Sequence, residues 1–223
     1  MGGAIGPSCA GVTLVVVILP RPASARRVRR EWDALSSLRT SADVFDRTRT
    51  ANLPRPVSKW LQHSIRDGTP LSRTAWLRMR GHIRIGPWRP FAATQVLAPG
   101  IGFIWAATAE VAGIPVLGYD KYVDGIGDIR WRIGGLVPLM SAQDTNISTS
   151  AAGRLAAESV FVPTAFAGAD WTSDDAGVHA TWRIDDHRET VDLDVDANGR
   201  LAGLHMQRWG NPNGAPFGRY PFV

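Results

Sequence analysis

Between Ala75 and Ile85 the apolar residues Ala75, Leu77, Met79, Ile83 and Ile85 alternate with a polar set, Trp76, Arg78, Arg80, His82 and Arg84. A period of two puts successive side chains on opposite faces of an extended chain, so the segment predicts a β-strand with one face on a core and a basic face outward. The pattern then recurs. Gly86-Pro87 makes a turn, and "WRPFAATQVLA", "GFIWAATAEV", "IPVLGYDKYVDG" and "GDIRWRI" follow, each bounded by Gly or Pro. "VHATWRI", "ETVDLDV" and "RLAGLHMQRW" come later in the chain. About eight strands in short sequential connections read as an antiparallel meander. The predicted fold is therefore mainly β (α+β): a curved antiparallel sheet or open half-barrel with a few covering helices.

The rest of the chain is organised around that sheet. Residues 1–30 form a hydrophobic N-terminal segment with a basic flank. Its apolar run, Ser8 to Pro20, is short for a membrane-spanning helix, "ASA" at Ala23 to Ala25 resembles a signal-peptidase site, and "RRVRR" follows directly. Anchor, signal-like segment and misassigned start all stay open, and the expected location is membrane-associated or cell envelope, with the cytoplasm as alternative. Residues 31–71 form a helical lead-in, with Trp32, Leu35 and Leu38 at helical spacing and Val57, Trp60, Leu61 and Ser64 on one face of a second helix opened by two prolines. Residues 72–223 are the sheet domain, interrupted by a helix at about 150–162 with Ser150 as N-cap and Pro163 as stop.

At 223 residues and 44% apolar composition the chain can bury a real core, and nine Trp imply a wide core or an apolar groove wall, Trp105 among them. The net charge of +5 comes from Arg-rich sequence between Arg21 and Arg89. Trp76 with Arg78, Arg80 and Arg84 has the chemistry of a nucleic-acid strip, but no known module fits the strand pattern, so nucleic acid is not the partner expected. A single cysteine, Cys9, excludes an internal disulfide and a cysteine-rich zinc site. The five histidines include no helical metal pair, and "DVDANG" lacks the Glu that would close a calcium loop, since His205 stands there. Asn198-Gly199 reads as a hairpin turn, and neither metal nor cofactor is expected. "NIS" at Asn146 is a formal glycosylation acceptor.

Three groups carry chemistry. Arg154 and Glu158 sit four apart on the inserted helix, either as an ordinary surface pair or facing the concave side of the sheet. Asp120 and Asp128 flank a Gly-containing turn and either approach one another as a carboxylate pair or serve as turn residues. In "RWGNPNG", Arg208 and Trp209 end the last strand expected, and Phe217, Tyr220 and Phe222 fold back over an open rim of the sheet.

The blocks "LPRPVSKWLQHSI", "WRPFAATQVLAP", "GYDKYVDGIGDIRWRIGGLVPL", "SAAGRLAAESVFVPTAF" and "RWGNPNGAPF", in that order from Leu53 to Phe217, resemble those of an uncharacterised bacterial domain-of-unknown-function family. Trp60 departs from the usual Tyr. The resemblance implies a common fold and recurrent positions at Arg154, Glu158 and Arg208-Trp209, and no substrate. Two functions follow as expectations. One is a binding module that holds an apolar or lipid-like molecule on a concave sheet, with Arg154, Glu158, Arg208, Trp209, Asp120 and Trp105 as ligand-binding candidates. The other is a hydrolase-type enzyme that uses Glu158 and Arg154 in the concavity.

Overall fold

The computed structural model describes residues 23–38, 41–166, 168–174 and 177–222. The apolar run at Ser8 to Pro20 therefore lies outside the described residues. No helix among the described residues is long and apolar enough to cross a membrane.

The alternating segment forms β1 (Ala75–Arg84), and a meander continues through β2 (Trp88–Ala98), β3 (Gly102–Val111), β4 (Ile114–Val123), β5 (Ile126–Ile133) and β6 (Val137–Ala142). These six strands pair in sequence order, all antiparallel. A second antiparallel sheet takes the later strands, β7 (Asp170–Asp174), β8 (Gly177–Ile184), β9 (His187–Val195), β10 (Leu201–Gly210) and β11 (Gly218–Phe222), in the order β11-β10-β9-β8-β7. The mainly β, antiparallel architecture with few helices is the one the alternation predicts. Among the described residues the strands number eleven rather than about eight, because β6, β7 and β11 lack clear alternation, and they divide into two sheets.

Four α-helices occur among the described residues: α1 (Arg29–Ser36), α2 (Arg55–Ser64), α3 (Thr145–Glu158) and α4 (Pro163–Phe166). On α1, Trp32 and Leu35 are buried against the outer face of the first sheet, where Val96, Ala98, Ile104, Ala106 and Tyr119 form a core of their own. Val57, Trp60 and Leu61 of α2 join the main core on the inner face, while Ser64 is exposed. Trp60 meets Phe166 of α4 edge-on at 5.3 Å, a favoured aromatic geometry.

The long helix α3 is placed between the sheets and touches β5 and β4 on one side and β10 and β9 on the other. Its N-cap is Asp144, whose carboxylate accepts from Ile147 N at 2.9 Å, so the helix starts well before Ser150. The earlier start reflects side-chain capping: Asp144 satisfies an N–H that no upstream carbonyl reaches. Small residues let α3 lie close to its neighbours. A Cβ on Gly127 of β5 would fall 2.7 Å from the Ile147 carbonyl oxygen, so only glycine permits this approach.

The edges of the first sheet show its curvature. Strands β1 and β6 lie at opposite ends of the strand order, and a flat sheet would hold them about 24 Å apart at ordinary strand spacing. Yet Ile83, Arg84 and Ile85 at the end of β1 and Leu139 and Met140 of β6 line one cavity together with Asp120 of β4 and Ile129 and Trp131 of β5. The sheet is thus curled into an open half-barrel whose edge strands face each other without pairing. Pro138 in β6 and Pro221 in β11 stand on edge strands, where a missing N–H costs no ladder bond.

Candidate functional site

The inner face of the half-barrel is set by strand register. Residues directly opposite in an antiparallel pair share a face. Gln95 lies opposite Trp105, Trp105 opposite Asp120, and Asp120 opposite Ile129, so this row crosses four strands on the core side. The same register separates the two aspartates. Asp128 is opposite Lys121 and belongs to the outer face, where it accepts from Tyr119 Oη at 3.0 Å and from Arg130 Nε at 3.0 Å. Asp120 and Asp128 therefore form no pair, because the β4–β5 turn reverses parity across it. Asp124 sits in that turn with φ 53°.

Helix α3 brings Arg154 and Glu158 against this row, in the inward-facing of the two arrangements open from spacing. Arg154 Nε donates to Glu158 Oε1 at 2.8 Å, and its Nη1 donates to Asp120 Oδ2 at 3.3 Å. The guanidinium lies 4.7 Å from the Phe103 ring centre and 5.3 Å from that of Trp105, within cation–π range. Gln95 Nε2 closes the network by donating to Glu158 Oε2 at 2.6 Å. Trp131 Nε1 donates to Asp120 Oδ1 at 3.2 Å, and its ring packs on Trp105 at 5.8 Å. A Cβ on Gly118 would fall 2.2 Å from the Trp131 ring, so that glycine is what lets the indole lie flat on the sheet.

Burial and the neighbouring charges compete in this network. Burial lifts the Asp120 carboxyl above the ordinary carboxylate range, against the opposing pull of Arg154 and the Trp131 hydrogen bond. Burial also disfavours the Arg154 cation, but Glu158 and Asp120 together outweigh it and raise its pKa. Arg208 is shifted down, first by burial and then by repulsion from Arg154.

Beside this network opens the cavity shared by β1 and β6, about 440 Å³ in volume. Its wall is mostly apolar, from Ile83, Ile85, Ile129, Trp131, Leu139 and Met140, with Asp120 and Arg84 as the charged residues of the lining. Leu139 and Met140 are about half exposed, at 49% and 48%, so apolar surface continues from the cavity to solvent.

The remaining candidates lie on the other side of α3. Arg208 Nε donates to the Ser150 carbonyl at 3.1 Å, and its guanidinium stands 5.5 Å from the Phe222 ring centre. Trp209 Nε1 donates to Asn146 Oδ1 at 3.1 Å, which also engages the formal glycosylation acceptor in a tertiary contact. These two residues fasten α3 to the second sheet. They end β10 but not the last strand, because the tail after them forms β11 and pairs with β10 from Met206↔Phe222 to Gly210↔Gly218. Glu189, fully buried on β9, fixes that tail through Arg219, whose Nη1 and Nη2 donate to its two oxygens at 2.9 and 3.1 Å.

Sequence reasoning missed Gln95 and Glu189, though both carried a signal. Gln95 interrupts the apolar series Ala93, Leu97 on β2, and Glu189 precedes Val191, Leu193 at the same parity on β9. His179 and His205 lie on one face, on either side of Asp192 in the register. Each is hydrogen-bonded to carboxylates, His179 to Asp192 at 2.7 Å and His205 to Asp194 at 2.7 Å, and no cluster suited to a metal occurs among the described residues. Trp76, part of the basic strip, packs against α1 and donates to Ser36 Oγ at 3.4 Å, so its ring is committed to the core below. Asp196 to Arg200 forms the β9–β10 turn, with Asp196 Oδ1 accepting from the N–H groups of Asn198 and Arg200.

Fold and site together define a two-sheet, mainly β domain with an ionic network on a central helix and an apolar cleft beside it. The profile of a family of unknown function, DUF6544, matches residues 43–223, and the chain belongs to that family. No curated protein and no solved structure matches it.

Proposed function

We propose that the protein is a binding module that holds an apolar or lipid-like molecule in the cleft between β1 and β6, at the cell envelope. The observation that carries this reading is the cavity of about 440 Å³, walled mostly by apolar side chains, Trp131 and Met140 among them, with Asp120 and Arg84 as the charged residues of its lining. Small-molecule sites have this size and this balance of apolar wall to few polar groups. Burial raises the pKa of the Asp120 carboxyl, and a single acidic group in a mostly apolar wall suits an apolar chain with a polar end. Trp105 supports Trp131, while Arg154 and Glu158 orient Asp120; Arg208 and Trp209 hold α3 in place behind them. The envelope location rests on the apolar run at Ser8 to Pro20 and its basic flank.

The hydrolase reading has less support, because both Glu158 oxygens already accept hydrogen bonds, from Arg154 and Gln95. The test is a titration with the neutral apolar fluorophore N-phenyl-1-naphthylamine. Saturable binding is expected, weakened at least about tenfold by Met140→Lys, which puts a charge into the half-exposed wall without disturbing the core. Absence of saturable binding, or equal binding by the variant, would overturn the proposal.

A further inference from the structure

A second cleft opens on the opposite, outer face of the half-barrel, and its chemistry is the reverse of the first. It has a volume of about 490 Å³, and four arginines line it: Arg26 and Arg27 from the turn that precedes α1, and Arg130 and Arg132 from β5. The last two alternate with Ile129 and Trp131, so one strand presents an apolar face to one cleft and a basic face to the other.

Among the described residues only one of these four cations has a carboxylate partner. Arg130 is bound through Nε to the buried Asp128 carboxylate, at 3.0 and 3.2 Å. Arg132 Nη1 donates only to the Leu136 carbonyl at 2.7 Å, and its Nε–H is buried without a hydrogen-bond partner. Arg26 and Arg27 are exposed and make no ion pair among the described residues. Four guanidiniums thus share one carboxylate around a concave space. Holding like charges in one cleft is unfavourable unless an anion joins them, and the planar fork of guanidinium N–H groups matches the oxygens of a phosphate group.

We infer that this cleft is a binding site for a phosphate-bearing anion, held by Arg26, Arg27, Arg130 and Arg132. Two sources present the same chemistry, a soluble phosphate or the headgroup of an anionic phospholipid. Pro20, the end of the apolar run, is six residues from Arg26 in the sequence. That closeness in sequence is why a headgroup stands as one of the two sources.

The experiment uses the full chain in a neutral detergent at low ionic strength, titrated calorimetrically with inorganic phosphate, dihexanoylphosphatidylglycerol and dihexanoylphosphatidylcholine. The variants are Arg26→Gln/Arg27→Gln and, as a control for net charge, Arg78→Gln/Arg80→Gln, which removes two exposed arginines from the same face outside the cleft. Saturable binding of phosphate or phosphatidylglycerol is expected, weakened at least about tenfold in the first variant and less than about twofold in the second. Phosphatidylglycerol binding at least about tenfold tighter than phosphate identifies the headgroup as the source, and any smaller preference identifies a soluble phosphate. The inference is overturned if neither anion binds, if both double variants lose affinity alike, or if phosphatidylcholine binds as tightly as phosphatidylglycerol.

Discussion

Arg154→Met removes the cation that Asp120 and Glu158 share while keeping an unbranched side chain against Phe103. Arg154 has 18% of its side chain exposed, Asp120 25% and Glu158 21%, so the three groups are mostly withdrawn from water. Breaking a buried ion pair costs about 3–5 kcal/mol, because the orphaned partner stays desolvated, and the residual exposure puts this case near the lower end, at about 3 kcal/mol. For a domain of this size that is a fall in Tm of about 6–12 °C. A pH signature accompanies it. Asp120 already has a raised pKa, so the native state binds its proton more readily than the unfolded chain, and native stability falls as pH rises through the window above the ordinary carboxylate value. Loss of Arg154 widens that window. The stability deficit of Arg154→Met should therefore be smaller at pH 5 than at pH 7.5, in the direction that protonation of Asp120 favours. Urea unfolding at the two pH values measures both effects. A deficit below about 1 kcal/mol at both pH values, the size found for exposed ion pairs, would refute the buried network.

Arg219→Ala strands the fully buried Glu189 carboxylate and should cost about 3–5 kcal/mol in urea unfolding, with Glu189→Gln in the same chain restoring part of the loss. The same variant should raise amide exchange in β11, whose side-chain anchor to β9 is this bond. Gly118→Ala places a methyl group where the Trp131 ring lies and must displace the indole from Asp120. Destabilisation of about 1–3 kcal/mol and a changed near-ultraviolet circular dichroism spectrum are expected, with weaker binding of the apolar fluorophore.

The first sheet was legible because β1 to β5 each place apolar side chains on a buried face, and alternation reports that directly. The strands that escaped notice have no such face to report: all of β6 up to Ser141 is exposed, and β11 carries Pro221 on an edge. Parity along the chain also misled at Asp120 and Asp128. They share parity in the sequence, but the hairpin between them pairs Asp120 with Ile129, which sends Asp128 to the other face. Spacing placed Arg154 and Glu158 side by side on a helix. It did not decide which way they face, because α3 has neighbours on both sides and small residues over much of its surface. Gln95 and Glu189 show what a single sequence does offer: one polar residue at an apolar position of a strand marks a partner that must come from elsewhere in the fold.

The central claim is that the half-barrel holds an apolar molecule beside Asp120. Native mass spectrometry of the protein purified from its own host, followed by organic extraction, tests it most directly. The expected result is a bound hydrophobic molecule near one per chain, reduced severalfold in Met140→Lys purified in parallel. A chain that carries no such molecule, or a variant that retains it at the same occupancy, would contradict the account.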